Sequence, residues 1–123
     1  MPTQGRAGPG LSDRLLCLAL VAVLAFADLW TKDWAFSALP AYGSREILPP
    51  ILSFTRSENQ GIVLGLGSSF GRVFTFTSFA ILGVLLWMIL RRPMPRAWRL
   101  AMAAIASGAL GNGLDRLRLG HVR

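Results

Sequence analysis

Histidine and cysteine occur once each in this 123-residue chain, and only six residues are acidic. Those shortages remove several kinds of chemistry at once. A single cysteine, Cys17, set inside an apolar run, can form neither a disulfide framework nor a thiolate zinc cage, and it says nothing about redox compartment. A single histidine, His121, leaves no Ser-His-Asp or Cys-His set for nucleophilic catalysis, and a metal site is equally poorly supplied. Charge is short as well. Charged residues make up 15 % of the chain against 53 % hydrophobic, which departs from a soluble domain in both directions and points to a membrane protein.

What charge there is has one dominant sign. The formal net charge is +7, but the arginines stand at the ends of apolar runs rather than along one polar helix face. They read as topology signals and lipid headgroup contacts, and nucleic-acid binding is set aside. At this length the chain is one domain or less.

Residues 1–13 are rich in glycine and proline and have no period, so they read as a disordered cytoplasmic tail. Residues 15–27 are apolar without a break and admit two readings. With Arg14 in front and Ala25-Phe26-Ala27 behind, they could be a cleavable signal peptide. Alternatively the helix continues past Asp28 and Lys32, an acid-first i,i+4 pair, as a retained span over about 15–36. Two further apolar runs downstream favour the span. Residues 38–71 change character, with Pro40, Pro49 and Pro50 followed by many Gly and Ser residues. Here the pattern predicts short strands at 51–55 and 62–64 around a turn at 57–61, a β-rich cradle over about 47–66 lying on one membrane face. Ordinary turn chemistry also accounts for Asn59 and Gly61.

Residues 73–90 carry no charge and form the clearest span, with Trp87 near its end. Arg91, Arg92, Arg96 and Arg99 crowd the loop that follows, which the positive-inside rule places in the cytoplasm. Residues 100–115 then return across the membrane. The N-terminus is therefore inside, and the polar ends of spans one and three share the outer face with the cradle.

The end of span three holds the densest chemistry. On a helix, Asn112, Asp115 and Arg116 fall on one side, and Ser107, Gly108 and Gly111 line much of that side with little side chain. Small residues and converging polar groups on one face suit close helix packing in a membrane, and ionisable groups there are candidates for function. The plainer alternative is a helix end whose charges snorkel to the interface. Asp28 and Asp115 could in principle form a carboxylate dyad; the rival is that each is paired with a neighbouring cation and is structural.

Three blocks in order resemble the bacterial lipoprotein signal peptidases, or signal peptidase II. Asp28-Leu29-Trp30-Thr31-Lys32 is similar to the family's Asp-x-x-[Ser/Thr]-Lys, and Glu58-Asn59-Gln60-Gly61-Ile62-Val63-Leu64-Gly65 to its Asn-x-Gly block. Gly111-Asn112-Gly113-Leu114-Asp115-Arg116, continuing through Leu119-Gly120-His121-Val122, is similar to its Gly-Asn-x-x-Asp-Arg block. The match covers residues 14–123.

The resemblance implies an all-α integral membrane protein of the inner, cytoplasmic membrane, with four spans in the family and three in this sequence, plus the extracytoplasmic β insert. It implies a monomeric aspartic endopeptidase with no metal or organic cofactor. Its substrate would be a prolipoprotein whose lipobox cysteine carries diacylglyceryl, and its other partners membrane lipids. The two family aspartates would follow Val122, so no catalytic residue is assigned within the sequence, the Asp28 and Asp115 dyad is dropped, and the chain reads as incomplete at its C-terminus. By the same resemblance Asn59, Gly61, Asn112 and Arg116 would contact substrate or steady the missing aspartates. Asp115, Asp28 and Lys32 would brace the helix ends. Leu64 departs from the aromatic residue frequent in the family. The competing class is a small non-enzymatic membrane protein, a decayed paralogue or a lipoprotein binder.

Overall fold

The computed structural model describes residues 8–58 and 71–123. Three long helices and one hairpin make up the architecture: α1 (Leu11–Ala38), β1 (Ser44–Leu48), β2 (Leu52–Thr55), α2 (Gly71–Arg91) and α3 (Arg96–Leu119). At about 1.5 Å per residue the helices are roughly 42, 32 and 36 Å long, each enough to cross a hydrocarbon layer about 30 Å thick. Two of them, α1 and α2, also have the apolar composition to span a membrane.

Helix α3 lies between the other two, and α1 and α2 barely touch one another. Its sequence explains that position. Ala103, Ala106, Ser107, Gly111 and Gly113 are buried, and such small side chains let two neighbouring backbones approach at once. The packed centre is thin, made of Cys17 and Val21 from α1, Ile89 from α2, and Ala103 and Ala106 from α3. Large apolar side chains point the other way: Phe26 is 72 % exposed and Phe76 76 %. Small residues inside and large apolar residues outside invert the pattern of a soluble core and suit a lipid surround. It also follows that the least apolar helix is the most enclosed one.

Two boundaries differ from the sequence reading. Helix α1 begins at Leu11, so the last three residues of the expected tail are helical. One strand of the hairpin, β2, falls where a strand is expected at 51–55, but its partner is β1, upstream, where none is expected. β1 pairs antiparallel with β2, with Arg45 opposite Phe54, and the chain reverses at Pro49-Pro50-Ile51, where the Ile51 N–H donates to the Leu48 carbonyl at 2.6 Å. The Pro-Pro pair is thus the turn within the hairpin rather than a break before it, because proline fixes the φ a turn needs and gives up a donor that a ladder would miss. The strand expected at 62–64, with Asn59 and Gly61, lies outside the described residues.

Candidate functional site

One end of the bundle gathers a cluster of polar side chains that face one another. Asp28 and Lys32 stand one turn apart on α1, and the Lys32 ammonium lies 2.7 Å from Asp28 Oδ2. The same ammonium crosses to α3, 3.3 Å from Asp115 Oδ2 and donating to Asn112 Oδ1 at 3.3 Å. Lys32 therefore sits between the two aspartates, which meet through a shared cation rather than carboxyl to carboxyl, so the geometry is not that of a carboxylate dyad.

Asp115 is fully buried and needs more than one cation. Arg123 supplies the second: its Nη2 donates to Asp115 Oδ1 at 2.9 Å, and its backbone N–H donates to Oδ2 at 3.2 Å. Helix α3 stops in a way that makes this possible. Gly120 takes φ 80°, its N–H donates to the Arg116 carbonyl at 3.0 Å, and the left-handed cap turns residues 121–123 back toward the helix. The other arm of Arg123 reaches Asp33 of α1. Burial works against the Arg123 charge, but the hydrogen bonds to Asp115 and Asp33 prevail and hold its pKa above the ordinary arginine value.

Arg116 departs from the one-sided arrangement the i,i+4 spacing predicts. It turns to α2, donating from Nη1 to Ser78 Oγ at 3.0 Å and lying 5.8 Å above the Phe74 ring. Asn112 and Asp115 meet α1 instead, so the polar face of α3 is split between its two neighbours. Two glycines make the split possible. A Cβ at Gly111 would run into the Asp28 carboxylate, and one at Gly113 would lie 3.0 Å from the Phe79 ring. Gly108, by contrast, faces open space.

Beside this network, α1 and the hairpin enclose a cleft of about 650 Å³. Trp34, Phe36, Ile47 and Phe54 give it apolar walls, and Arg45, Arg56 and Arg123 bring positive charge. Arg56 and Arg123 both stack on Phe36, at 4.3 and 5.6 Å from its centroid. Arg56 also reaches Glu58 at 3.3 Å, and His121 lies 3.7 Å from the same carboxylate. Among the described residues no cluster could hold a metal ion. Arg123, Asp33, Ser78 and Gly113 escape a reading of the sequence because their partners are distant along the chain. Only Gly120, a glycine just past a helical run, signals that residues 121–123 fold back.

The family model for signal peptidase (SPase) II matches residues 20–123. The chain belongs to the signal peptidase II family. It is 34 % identical over 113 residues to the lipoprotein signal peptidase of Xanthomonas oryzae pv. oryzae, covering 88 % of this chain and 68 % of that one. With the lipoprotein signal peptidase of Bifidobacterium adolescentis it shares 34 % identity over 108 residues, 87 % of this chain and 57 % of the relative. Two solved structures of a bacterial membrane enzyme, at 2.3 and 1.9 Å, share the fold with TM-scores of 0.76 at 23 % identity, and 95 % of this chain superposes on 70 % and 74 % of theirs. Membership makes this chain a lipoprotein signal peptidase at the family level and a protease by class. The network of Asp28, Lys32, Asn112 and Asp115 thus lies in the matched part of a signal peptidase II.

Proposed function

We propose that this signal peptidase II removes the signal peptide from prolipoproteins whose lipobox cysteine carries diacylglyceryl, at the outer face of the bacterial inner membrane. All three helices span, α3 included, with the N-terminus inside. The least apolar helix is tolerated because its neighbours cover it, so its polar groups meet protein rather than lipid. Residues 14–123 form the membrane domain, and the protein works as a monomer without a cofactor.

The observation that carries this reading is the convergence at one bundle end of a braced ionic network and an apolar cleft with a cationic rim. Such a cleft suits a substrate with an acyl-bearing cysteine and an apolar signal segment, since the walls take hydrocarbon and the arginines take carbonyl or headgroup oxygens. Lys32 and Asp115 then hold α1 and α3 in register beneath it, Asn112 and Arg116 support the site from α3, and Asn59 and Gly61 contact substrate. In the family the acid and base aspartates follow the position that Val122 occupies here. They act as a pair because adjacent carboxylates share one proton, leaving one to activate water and one to protonate the leaving amine.

The test uses a diacylglyceryl-modified prolipoprotein in detergent-lipid micelles, with cleavage before the modified cysteine read by mass spectrometry. The 123-residue chain is expected to bind without cutting, and a chain continued through a fourth span with both aspartates to cut. Site-specific cleavage by the 123-residue chain would falsify the assignment of catalysis to later residues. No cleavage by the continued chain would favour the competing reading, a membrane protein that binds lipoproteins without processing them.

A further inference from the structure

The opposite end of the bundle carries a second concave site that the peptidase reading does not use. Helices α1 and α3 both start there, at Gly10 and Pro95, and neither N-cap residue gives a side-chain hydrogen bond to its helix. The free first-turn N–H groups and the positive ends of two long helix dipoles therefore flank one cleft of about 440 Å³, lined by Gly10, Asp13, Pro95, Arg96 and Arg99.

Arg99 is the unusual member. Its side chain is only 5 % exposed, yet its Nη2 reaches the Arg92 and Met94 carbonyls at a long 3.4 Å and its Nη1 stands 3.6 Å from Asp13 Oδ2. Its Nε–H is buried with no partner among the described residues. A buried guanidinium held only by long contacts lacks the close bidentate acceptor that its geometry fits best, and a phosphate is such an acceptor. Arg96 adds a second, exposed cation 4.0 Å from Asp13. A single carboxylate thus faces two arginines, leaving the cleft positive.

Across Met94 and Pro95 the cleft adjoins an apolar groove formed by Trp87, Met88, Trp98 and Met102. Trp87 and Trp98 are 52 % and 65 % exposed, as expected of indoles at a membrane–water boundary. We infer that the cleft between the starts of α1 and α3 binds the phosphate headgroup of an anionic glycerophospholipid, whose acyl chain lies in the adjoining groove. Charge complementarity selects the headgroup, and the neighbouring groove selects a lipid over a free anion. The inference rests on the membrane placement proposed above but not on the peptidase activity.

The test takes the full protein purified in neutral detergent and measures, by native mass spectrometry, retention of dioleoylphosphatidylglycerol against dioleoylphosphatidylcholine, with inorganic phosphate as a third probe. Phosphatidylglycerol is expected to be retained preferentially. Arg96→Gln should weaken it roughly fivefold, as expected for one cation near an anionic headgroup. Arg99→Gln should weaken it at least as much, and Asp13→Asn should tighten it by removing the competing carboxylate. Arg118→Gln makes the same change in net charge at the far, exposed end of α3 and should leave retention unchanged. Equal retention of the two lipids, equal losses in R96Q and R118Q, no tightening in D13N, or inorganic phosphate displacing the lipid at equal concentration would each overturn the inference. Because Arg99 is buried and R99Q could misfold, R96Q and D13N decide the matter on folded protein. Failure of the membrane placement is read separately, by whether alkaline carbonate extracts the protein from membranes.

Discussion

The two ends of the bundle solve the same problem, charge beside a low-dielectric interior, in opposite ways. At the end where α3 stops, the buried Asp115 accepts from Arg123 at 2.9 Å and lies 3.3 Å from Lys32, and Asp28 completes the network at 2.7 Å from Lys32. At the end where α3 starts, the buried Arg99 has one carboxylate, at 3.6 Å, and long contacts to carbonyls. One network is closed and fixes the position of helices; the other is left open and positive. A closed network should respond to mutation through stability, and an open one through binding.

The largest effect should come from Asp115→Ala. It leaves Lys32 and Arg123, which are 15 % and 9 % exposed, without their shared acceptor. Breaking a buried pair by removing one partner costs about 3–5 kcal/mol. Thermal unfolding of the purified protein in detergent measures it, and a loss below about 1 kcal/mol would mean that water or lipid headgroups already screen the site as at an exposed pair.

Next in size is Gly111→Ala. The new methyl displaces the Asp28 carboxylate from Lys32, because that carboxylate occupies the space a Cβ would take. Overpacking of this kind costs about 1–3 kcal/mol. The double variant with Asp28→Ala should recover part of the loss, since the obstructing group is gone, and additive losses would show that the two positions do not touch. Gly113→Ala should cost a similar or smaller amount, because the Phe79 ring it approaches at 3.0 Å can shift by a few tenths of an ångström.

Much of this comparison is legible before any coordinates. The apolar runs give α1 and α2, because length and composition suffice for a helix that meets lipid. Helix α3 is harder, since its enclosure depends on two neighbours, and the small residues at 103–113 hint at that only through their size. The spacing of Asn112, Asp115 and Arg116 suggests one shared face, but each side chain follows the partner it finds: Ser78 for Arg116 and Lys32 for the other two. Asp33 and Arg123 are invisible as a pair, being 90 residues apart and joined only by the turn at Gly120. Strand β2 is legible at 51–55, but its pairing with β1 is not, because both strands are short and exposed on both faces, so no alternation marks their register.

The smallest expected effect on stability is also the sharpest test of the contrast. Asp13 is as exposed as Asp28 but stands 3.6 and 4.0 Å from its two arginines, beyond hydrogen-bond reach, so Asp13→Asn should change unfolding by no more than about 0.5 kcal/mol. Asp28→Asn at the other end removes a carboxylate in 2.7 Å contact with Lys32 and should cost more, about 1–2 kcal/mol, with Asn112 and Asp115 retaining the ammonium. Measured side by side in the same detergent, the two neutralisations separate a carboxylate that braces helices from one that tempers a positive cleft. Equal losses would make the Asp13 carboxylate a brace as well, and the difference between the ends would then lie in the sign of charge alone. A loss confined to Asp28→Asn would tie structure to the Asp115 end and leave the Arg99 end free to hold an anion.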